Sequence, residues 1–202
     1  MTNKLVRLGF LVSGRGSNMQ AIIEACKNGK LDAEPAVVIS NNASAGALEI
    51  ARKEFIPAFH LSNHTHPDPV LQDQTITETL QQHQADLIIL AGYMKKIGPI
   101  LLGAYRNRIF NIHPSLLPKF GGQGMYGIHV HEAVITAGEK KTGATVHLVD
   151  KEYDSGRILK QREVEVFTDD TPASLAARVL EAEHALYVDV LKDIIGEKII
   201  LS

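Results

Sequence analysis

Short apolar runs of strand length alternate with segments of helical period through the first half of the chain, and this alternation constrains the fold most. The runs cover residues 5–12, 36–40, 56–61, 87–91 and 108–112. Between them, helices are predicted at residues 16–30, 44–53, 68–84 and 98–105. Strands that alternate with helices form mostly parallel sheets with helices on both faces. The sequence therefore predicts a three-layer, Rossmann-like open α/β sheet.

The pattern changes after residue 120. A glycine-rich loop, GGQGMYG at residues 121–127, precedes a short predicted helix near 130–137. The runs at 144–149 and 158–166 alternate polar and apolar residues, as partly exposed antiparallel strands do. Thr171 and Pro172 suit the cap and first position of a long helix, which extends to about residue 196. We expect one domain over residues 1–202, with antiparallel strands and a long helix in its C-terminal part.

Charge and cysteine content exclude several classes of protein. The net charge of −2 is unlike the basic surface of a nucleic-acid binder. A single cysteine, Cys26, provides neither a disulfide framework nor a cysteine-rich metal site. No apolar run approaches the roughly 20 residues of a membrane helix, and no signal-peptide pattern is present. We expect a cytoplasmic protein, monomeric or weakly dimeric, without nucleic-acid or membrane partners.

The stretch SGRGSN, residues 13–18, lies between the first predicted strand and the first helix. Ligands of open α/β sheets bind at the carboxyl ends of strands, and a helix N-terminus there favours an anion such as phosphate. Neither the Walker A lysine nor the third glycine of a dinucleotide fingerprint is present, since Met19 follows Asn18. The residues fit either a phosphate site or a tight turn in which Ser17 or Asn18 caps the helix.

A second polar site follows the fifth predicted strand, in NIHPSLLPKF at residues 111–120. Asn111 and His113 are two residues apart and point to the same side of a strand, and Pro114 favours an extended His113. An amide N–H can stabilise an oxyanion, and an imidazole can transfer protons. The pair suits a tetrahedral intermediate formed by an external nucleophile, or simply a hydrogen-bonded turn.

These motifs together resemble the folate-dependent formyltransferases, and within them the members that formylate glycinamide ribonucleotide. The resemblance is carried by NIHPSLLPKF and by four further stretches, namely LVSGRGSN (11–18), LAGYMKKI (90–97), GATVH (143–147) with DKEYDSGRIL (150–159), and ARVLEAEHALY (177–187). It covers nearly the whole chain. It implies transfer of a formyl group from 10-formyltetrahydrofolate to glycinamide ribonucleotide in purine biosynthesis, without a metal.

The resemblance also implies where the substrates bind. A ribonucleotide half of about residues 1–100 would hold the phosphate through Gly16, Ser17 and Asn18. A catalytic and folate half of about residues 85–202 would bind the folate through Met94, Lys95, Lys96, Ile97 and Asn111. Glu183 would meet the glycinamide amine.

The implied catalytic residues are Asn111, His113 and Asp154. Asn111 and a protonated His113 would stabilise the oxyanion. Asp154 would raise the pKa of His113 and assist proton transfer, because a nearby carboxylate favours the charged imidazole. His147 would line the site.

Several features depart from the family pattern. The 121–127 loop is long and is followed by His129 and His131, but no cysteine or paired carboxylate completes a metal site. A loop that closes over a substrate is the better interpretation. No arginine for the folate is found near residues 67–69, and Leu180 replaces a polar residue near the substrate. Lys95 and Lys96 suit either the glutamate tail of the folate or a solvated pair.

Three other functions compete with this assignment. Formyltetrahydrofolate deformylase carries an additional N-terminal domain, and methionyl-tRNA formyltransferase carries an additional RNA-binding domain, and we expect neither here. A non-enzymatic nucleotide-binding domain would need only the SGRGSN loop and would leave Asn111, His113 and Asp154 without a shared role.

Overall fold

A seven-stranded sheet organises the chain in a computed structural model that describes residues 5–201. The strand order is β3-β2-β1-β4-β5-β6-β7. The strands are β1 (Val6–Val12), β2 (Ala33–Ser40), β3 (Ala58–His60), β4 (Leu87–Ala91), β5 (Ile109–His113), β6 (Lys141–Leu148) and β7 (Ile158–Glu165). The pairs among β1 to β5 are parallel, whereas β5–β6 and β6–β7 are antiparallel. The predicted fold class is confirmed.

Helices cover both faces of this sheet. They are α1 (Ser17–Lys27), α2 (Gly46–Lys53), α3 (Pro69–Gln82), α4 (Pro99–Ala104), α5 (Ile128–Thr136) and α6 (Pro172–Ile195). Helices α1, α2 and α6 pack over one apolar cluster, and α3 and α4 pack over another. Of the described helices, none combines the length and apolar character needed to cross a membrane.

The predicted element boundaries are wrong where glycine or proline lies within a strand. β2 begins at Ala33, three positions before the predicted start, and includes Pro35. The β1–β2 register shifts between Leu8 and Gly9, next to the Leu8–Pro35 pair, which accommodates a residue that cannot donate to the ladder. β6 likewise begins at Lys141 and includes Gly143. Strand pairing therefore overrides the local preference of both residues.

The long helix α6 begins with a capping box and is anchored to the centre of the sheet. Thr171 and Ser174 exchange side-chain and backbone hydrogen bonds at its first turn. Farther along, Tyr187 is fully buried, and its hydroxyl lies 3.1 Å from the carbonyl oxygen of Leu90 and 2.8 Å from that of Phe110. Because Tyr187 fixes α6 against β4 and β5, Glu183, one turn earlier, is held near the carboxyl ends of these strands.

Candidate active site

The two polar motifs meet at one edge of the sheet. Strands β1, β4 and β5 are adjacent and parallel, so the loops that follow them share the same edge. A cavity of about 730 Å³ lies there. Its lining includes Arg15, Asn18, Asn111, His113, Asp154 and Glu183. The structure thus brings the SGRGSN loop, the β5 residues and Glu183 into one site.

Side chains from both faces of the sheet line the site. Asn111 is paired in register with Leu90, whose side chain belongs to the cluster beneath α3 and α4, so Asn111 projects to that face. Asn18 and Glu183 lie on α1 and α6, which cover the opposite face. The cavity therefore crosses the edge of the sheet, where groups from both faces can reach one ligand.

The backbone of the SGRGSN loop leaves the N-terminus of α1 without a side-chain cap. Gly16 is the N-cap residue, with φ of 82°, and no side chain accepts a hydrogen bond from the first turn. A Cβ at Gly16 would lie 2.6 Å from the Cβ of Ala47, so both the dihedral angle and the packing require glycine. The alternative in which Ser17 or Asn18 caps the helix is wrong. The free N–H groups are available to an anion.

Asn18 and Glu183 form a buried pair. The Nδ2 atom of Asn18 donates to Oε2 of Glu183 at 2.7 Å. Burial raises the pKa of Glu183 to about 7, and the hydrogen bond from Asn18 acts in the opposite direction. The side chain of Asn18 thus holds Glu183, whereas the family resemblance implies that the two residues contact different parts of the substrate.

Ser13 links two loops of the site through a contact that the sequence did not reveal. Its Oγ accepts a hydrogen bond from the backbone N–H of Met94 at 2.8 Å and donates to Oδ1 of Asn41. The loop after β1 is therefore tied to the loop after β4. No local sequence signal marks this contact, because the two residues are far apart in the chain.

Asn111 and His147 interact across the antiparallel β5–β6 pair. They are register partners, and Nδ2 of Asn111 lies 3.1 Å from Nε2 of His147. Nδ1 of His147 lies 2.8 Å from the carbonyl oxygen of Leu148, which can only accept, so Nδ1 carries a proton. In the neutral ring Nε2 is then an acceptor, and the Asn111 NH₂ group must donate to it.

His113 and Asp154 form the second polar contact of the site. Both side chains are largely buried, and Nδ1 of His113 lies 3.4 Å from Oδ2 of Asp154. Nε2 of His113 lies 2.7 Å from the carbonyl oxygen of Phe120 and therefore donates to it. Both ring nitrogens thus face oxygen atoms that accept protons.

The expectation that His113 is protonated during catalysis stays a prediction, and the surroundings of His113 act on its pKa in opposite directions. Burial lowers the pKa of His113, whereas the charge of Asp154 and the carbonyl of Phe120 raise it, and the result lies below the ordinary value. Asp154 acts in the predicted direction, but desolvation outweighs it. Neutral His113 is therefore the favoured form at neutral pH.

Asp154 occupies a left-handed backbone conformation, with φ of 54°, and lies between two histidines. Its Oδ2 accepts from the backbone N–H of Gly122 at 2.9 Å, and its Oδ1 lies 3.4 Å from Nε2 of His147. Burial raises the pKa of Asp154, but its contact with His147, the charge of His113 and the Gly122 N–H together lower it below its ordinary value. Asp154 is therefore a carboxylate at neutral pH.

The residues predicted to bind the folate line two different cavities. Lys95, Lys96 and Ile97 line a smaller cavity of about 60 Å³ together with Asn111, His147 and Asp154. Met94 instead lines the 730 Å³ cavity. Lys96 already has protein partners, because its Nζ lies 3.6 Å from Oε2 of Glu152 and 5.8 Å from the centre of the Tyr153 ring.

The two histidines that follow the glycine-rich loop do not converge. His129 is exposed and lies beside Glu132, whereas His131 is buried and lines the 730 Å³ cavity. Within residues 5–201, no group of three or more histidine, cysteine or acidic side chains is arranged to hold a metal ion.

Comparison with known proteins gives a consistent result. The family model described as "Formyl transferase" matches residues 6–191. A chloroplastic phosphoribosylglycinamide formyltransferase of Vigna unguiculata is 43% identical over 200 residues, which cover 99% of this chain and 64% of the relative. The chain thus spans somewhat less than two thirds of that relative. The phosphoribosylglycinamide formyltransferase of Haemophilus influenzae is 38% identical, with 92% of this chain and 85% of the relative covered.

Solved structures show the same similarity. Glycinamide ribonucleotide transformylase 1 from Symbiobacterium toebii matches with a TM-score of 0.91 and 37% identity, covering 98% of this chain and 91% of its own. A formyltetrahydrofolate deformylase from Pseudomonas syringae matches with a TM-score of 0.87 but 25% identity, covering 98% of this chain and 63% of its own.

Proposed function

This chain belongs to the formyl transferase family, among its phosphoribosylglycinamide formyltransferases, and from this premise we propose that it formylates glycinamide ribonucleotide. The formyl donor is 10-formyltetrahydrofolate, and the products are the N-formyl ribonucleotide and tetrahydrofolate. The reaction is a step of de novo purine biosynthesis. A cytoplasmic location, a monomeric or weakly dimeric state and the division into ribonucleotide and folate halves stay predictions.

One observation carries this proposal. The polar network Asn111–His147–Asp154–His113 adjoins both the uncapped N-terminus of α1 and the cavity lined by Lys95 and Ile97. Acyl transfer between two bound molecules needs an anion site, a second binding site and an oxyanion-stabilising group between them. All three features lie around one edge of the sheet. A nucleotide-binding domain without catalysis would have no use for the buried network.

The acceptor binds by its phosphate at the first turn of α1. The backbone N–H groups of Ser17 and Asn18 point from a helix N-terminus with no competing side-chain cap, which favours an anion. Arg15 adds a positive charge to the lining of the same cavity. Glu183, held by Asn18, contacts the acceptor through its carboxyl group.

The folate binds in the cavity between the loop after β4 and the loop after β6. The backbone of residues 94–97 contacts the pterin from this cavity and from the adjoining 730 Å³ cavity that Met94 lines, and Asn111 lines both cavities. Lys95 is the better candidate for the anionic tail, because Lys96 is held by Glu152 and Tyr153. Of the two lysines, only Lys95 is therefore proposed to bind the anionic tail of the folate.

Catalysis proceeds by addition and elimination at the formyl carbon. The acceptor amine forms a bond to that carbon, and the carbonyl electron pair moves to oxygen. The NH₂ group of Asn111, which donates one hydrogen to His147, has a second hydrogen for the oxyanion. The carbon–N10 bond then breaks as the oxyanion re-forms the carbonyl. N10 gains a proton, and the new amide loses one.

His113 and Asp154 manage charge and protons during these steps. The oxyanion adds a second negative charge near His113 and, with Asp154, favours the imidazolium as the intermediate forms. A proton on Nδ1 also converts the 3.4 Å contact with Asp154 into an ion pair. The one-carbon fragment comes from the folate, so the protein supplies orientation and electrostatics.

The proposal is tested by following tetrahydrofolate release from 10-formyltetrahydrofolate with and without glycinamide ribonucleotide. Release that depends on the acceptor, with formation of the N-formyl product, is expected. Release without the acceptor would instead indicate a deformylase, the second candidate, which the similarity to the Pseudomonas syringae enzyme favours. Folded protein that releases nothing in either reaction would overturn both assignments.

A further inference from the structure

His131 is a buried histidine of the cavity that the proposed mechanism does not use. It lies on the inner face of α5 with Val130 and Val134, and only 4% of its surface is exposed. It nevertheless lines the 730 Å³ cavity together with His113, Asn18 and Glu183. A polar ring so deeply buried ordinarily has hydrogen-bond partners.

The His131 ring has no such partner among the described residues. Its Nδ1 atom is sealed from solvent and forms no hydrogen bond within the protein. Nearby, His113 contacts Phe120 and Asp154, and Nδ2 of Asn18 donates to Glu183, while Oδ1 of Asn18 is also buried without a partner. An unpaired buried donor or acceptor costs free energy and calls for a functional explanation.

The protonation state of His131 follows from its surroundings. Burial and the charge of His113 lower its pKa, so the ring is neutral at neutral pH. Buried N–H groups without an acceptor are rarer than under-satisfied acceptors, which favours a proton on Nε2 rather than on the sealed Nδ1. His131 then presents one uncharged N–H donor, and its neutrality avoids repulsion with a protonated His113.

We propose that His131 binds the ribonucleotide that accepts the formyl group. Its Nε2–H donates a hydrogen bond to the amide carbonyl oxygen of that ribonucleotide. The inference rests on the proposed function and extends it to the segment between β5 and β6. A neutral N–H donor suits the neutral amide of the ribonucleotide, whereas the N-terminus of α1 and Arg15 suit its anionic phosphate. Fixing the amide orients the adjacent amine toward the formyl carbon.

The test compares steady-state kinetics of the full chain with those of His131→Phe and His131→Gln. For His131→Phe we expect the KM for glycinamide ribonucleotide to rise roughly 3- to 10-fold, with the KM for 10-formyltetrahydrofolate unchanged. His131→Gln retains an N–H donor and should recover part of the loss. His129→Phe is the matched control, because His129 is on the same helix but exposed, and it should behave as wild type.

A thermal melt of each variant separates binding from folding. His131→Phe removes a buried polar atom without a partner, so its melting temperature should not fall. A lower melting temperature, or equal effects on both KM values, would indicate a structural role and overturn the inference. If the variant is active and its KM for the ribonucleotide is unchanged, the inference about His131 is overturned but the proposed function is not. Wild-type protein without acceptor-dependent turnover would instead remove the proposed function, and the inference with it.

Discussion

The side chain of Asn111 donates a hydrogen bond to His147, its register partner across the β5–β6 pair, over 3.1 Å. The carbonyl oxygen of Leu148 determines the direction of this bond. It holds the proton of the neutral His147 ring on Nδ1, so Nε2 is left to accept from Asn111. The amide of Asn111 is therefore oriented with its NH₂ group toward the site. A backbone carbonyl thus determines which end of a proposed catalytic amide meets the substrate.

This relationship predicts that His147 acts through Asn111. Asn111→Ala should lower kcat roughly 10²- to 10³-fold, as removal of one oxyanion donor does elsewhere. His147→Phe should lower kcat by a smaller factor, because it removes only the group that orients the Asn111 amide. The double variant should be no worse than Asn111→Ala in a double-mutant cycle. Additive losses in log kcat would show that His147 acts independently, through its contact with Asp154.

Asp154→Asn should depress turnover while sparing stability. Asparagine tolerates the left-handed conformation at φ of 54°, and its carbonyl can still accept from Gly122. The lost charge removes the group that raises the pKa of His113, so activity that needs protonated His113 should disappear at lower pH than in wild type. We expect a fall in kcat of roughly 10²- to 10⁴-fold with little change in melting temperature. Unchanged kcat across pH would remove Asp154 from the mechanism.

Gly16→Ala should destabilise the protein and weaken acceptor binding. Alanine would have to adopt φ of 82° and would place its Cβ 2.6 Å from that of Ala47. The expected loss in free energy of unfolding is roughly 2–4 kcal/mol, measured by urea denaturation. Gly14→Ala is the matched control, since a Cβ there meets no atom within 4 Å and no positive φ is required. Equal stability of the two variants would contradict this account of the loop.

Glu183 should make stability depend on pH in the direction opposite to an ordinary carboxylate. Its pKa of about 7 in the folded chain exceeds the ordinary value of 4.5, so the folded state binds the extra proton between these values. Protonated Glu183 therefore contributes fully to the free energy of unfolding below pH 4.5. This contribution, about 3 kcal/mol in total, is lost as the pH rises through the folded-state pKa of about 7.

The comparison of wild type with Glu183→Gln isolates this group from the other carboxylates. Glutamine cannot ionise, so the variant should be more stable than wild type at about pH 8 and nearly equal to it at about pH 4. The measurement is the free energy of unfolding from urea denaturation at both pH values. A constant difference between the proteins would show that Glu183 titrates normally.

The alternation of strands and helices was enough to predict the sheet and its parallel part, and Thr171 followed by Pro172 predicted the start of the long helix α6. Local apolar patterns carry this information because burial repeats with the period of each element. The starts of β2 and β6 could not be predicted in this way. Pro35 and Gly143 disfavour strands locally, and only the pairing of each strand with its neighbour overrides that preference.

The sequence by itself placed Asn111 and His113 on one side of a strand and the SGRGSN loop at a helix N-terminus, since both depend on residues next to each other in the chain. Only the tertiary structure decided that Asn18 holds Glu183, that His147 orients Asn111, and that burial outweighs Asp154 in setting the pKa of His113. Hydrogen bonds and desolvation depend on distances between groups far apart in sequence, and packing alone fixes those distances.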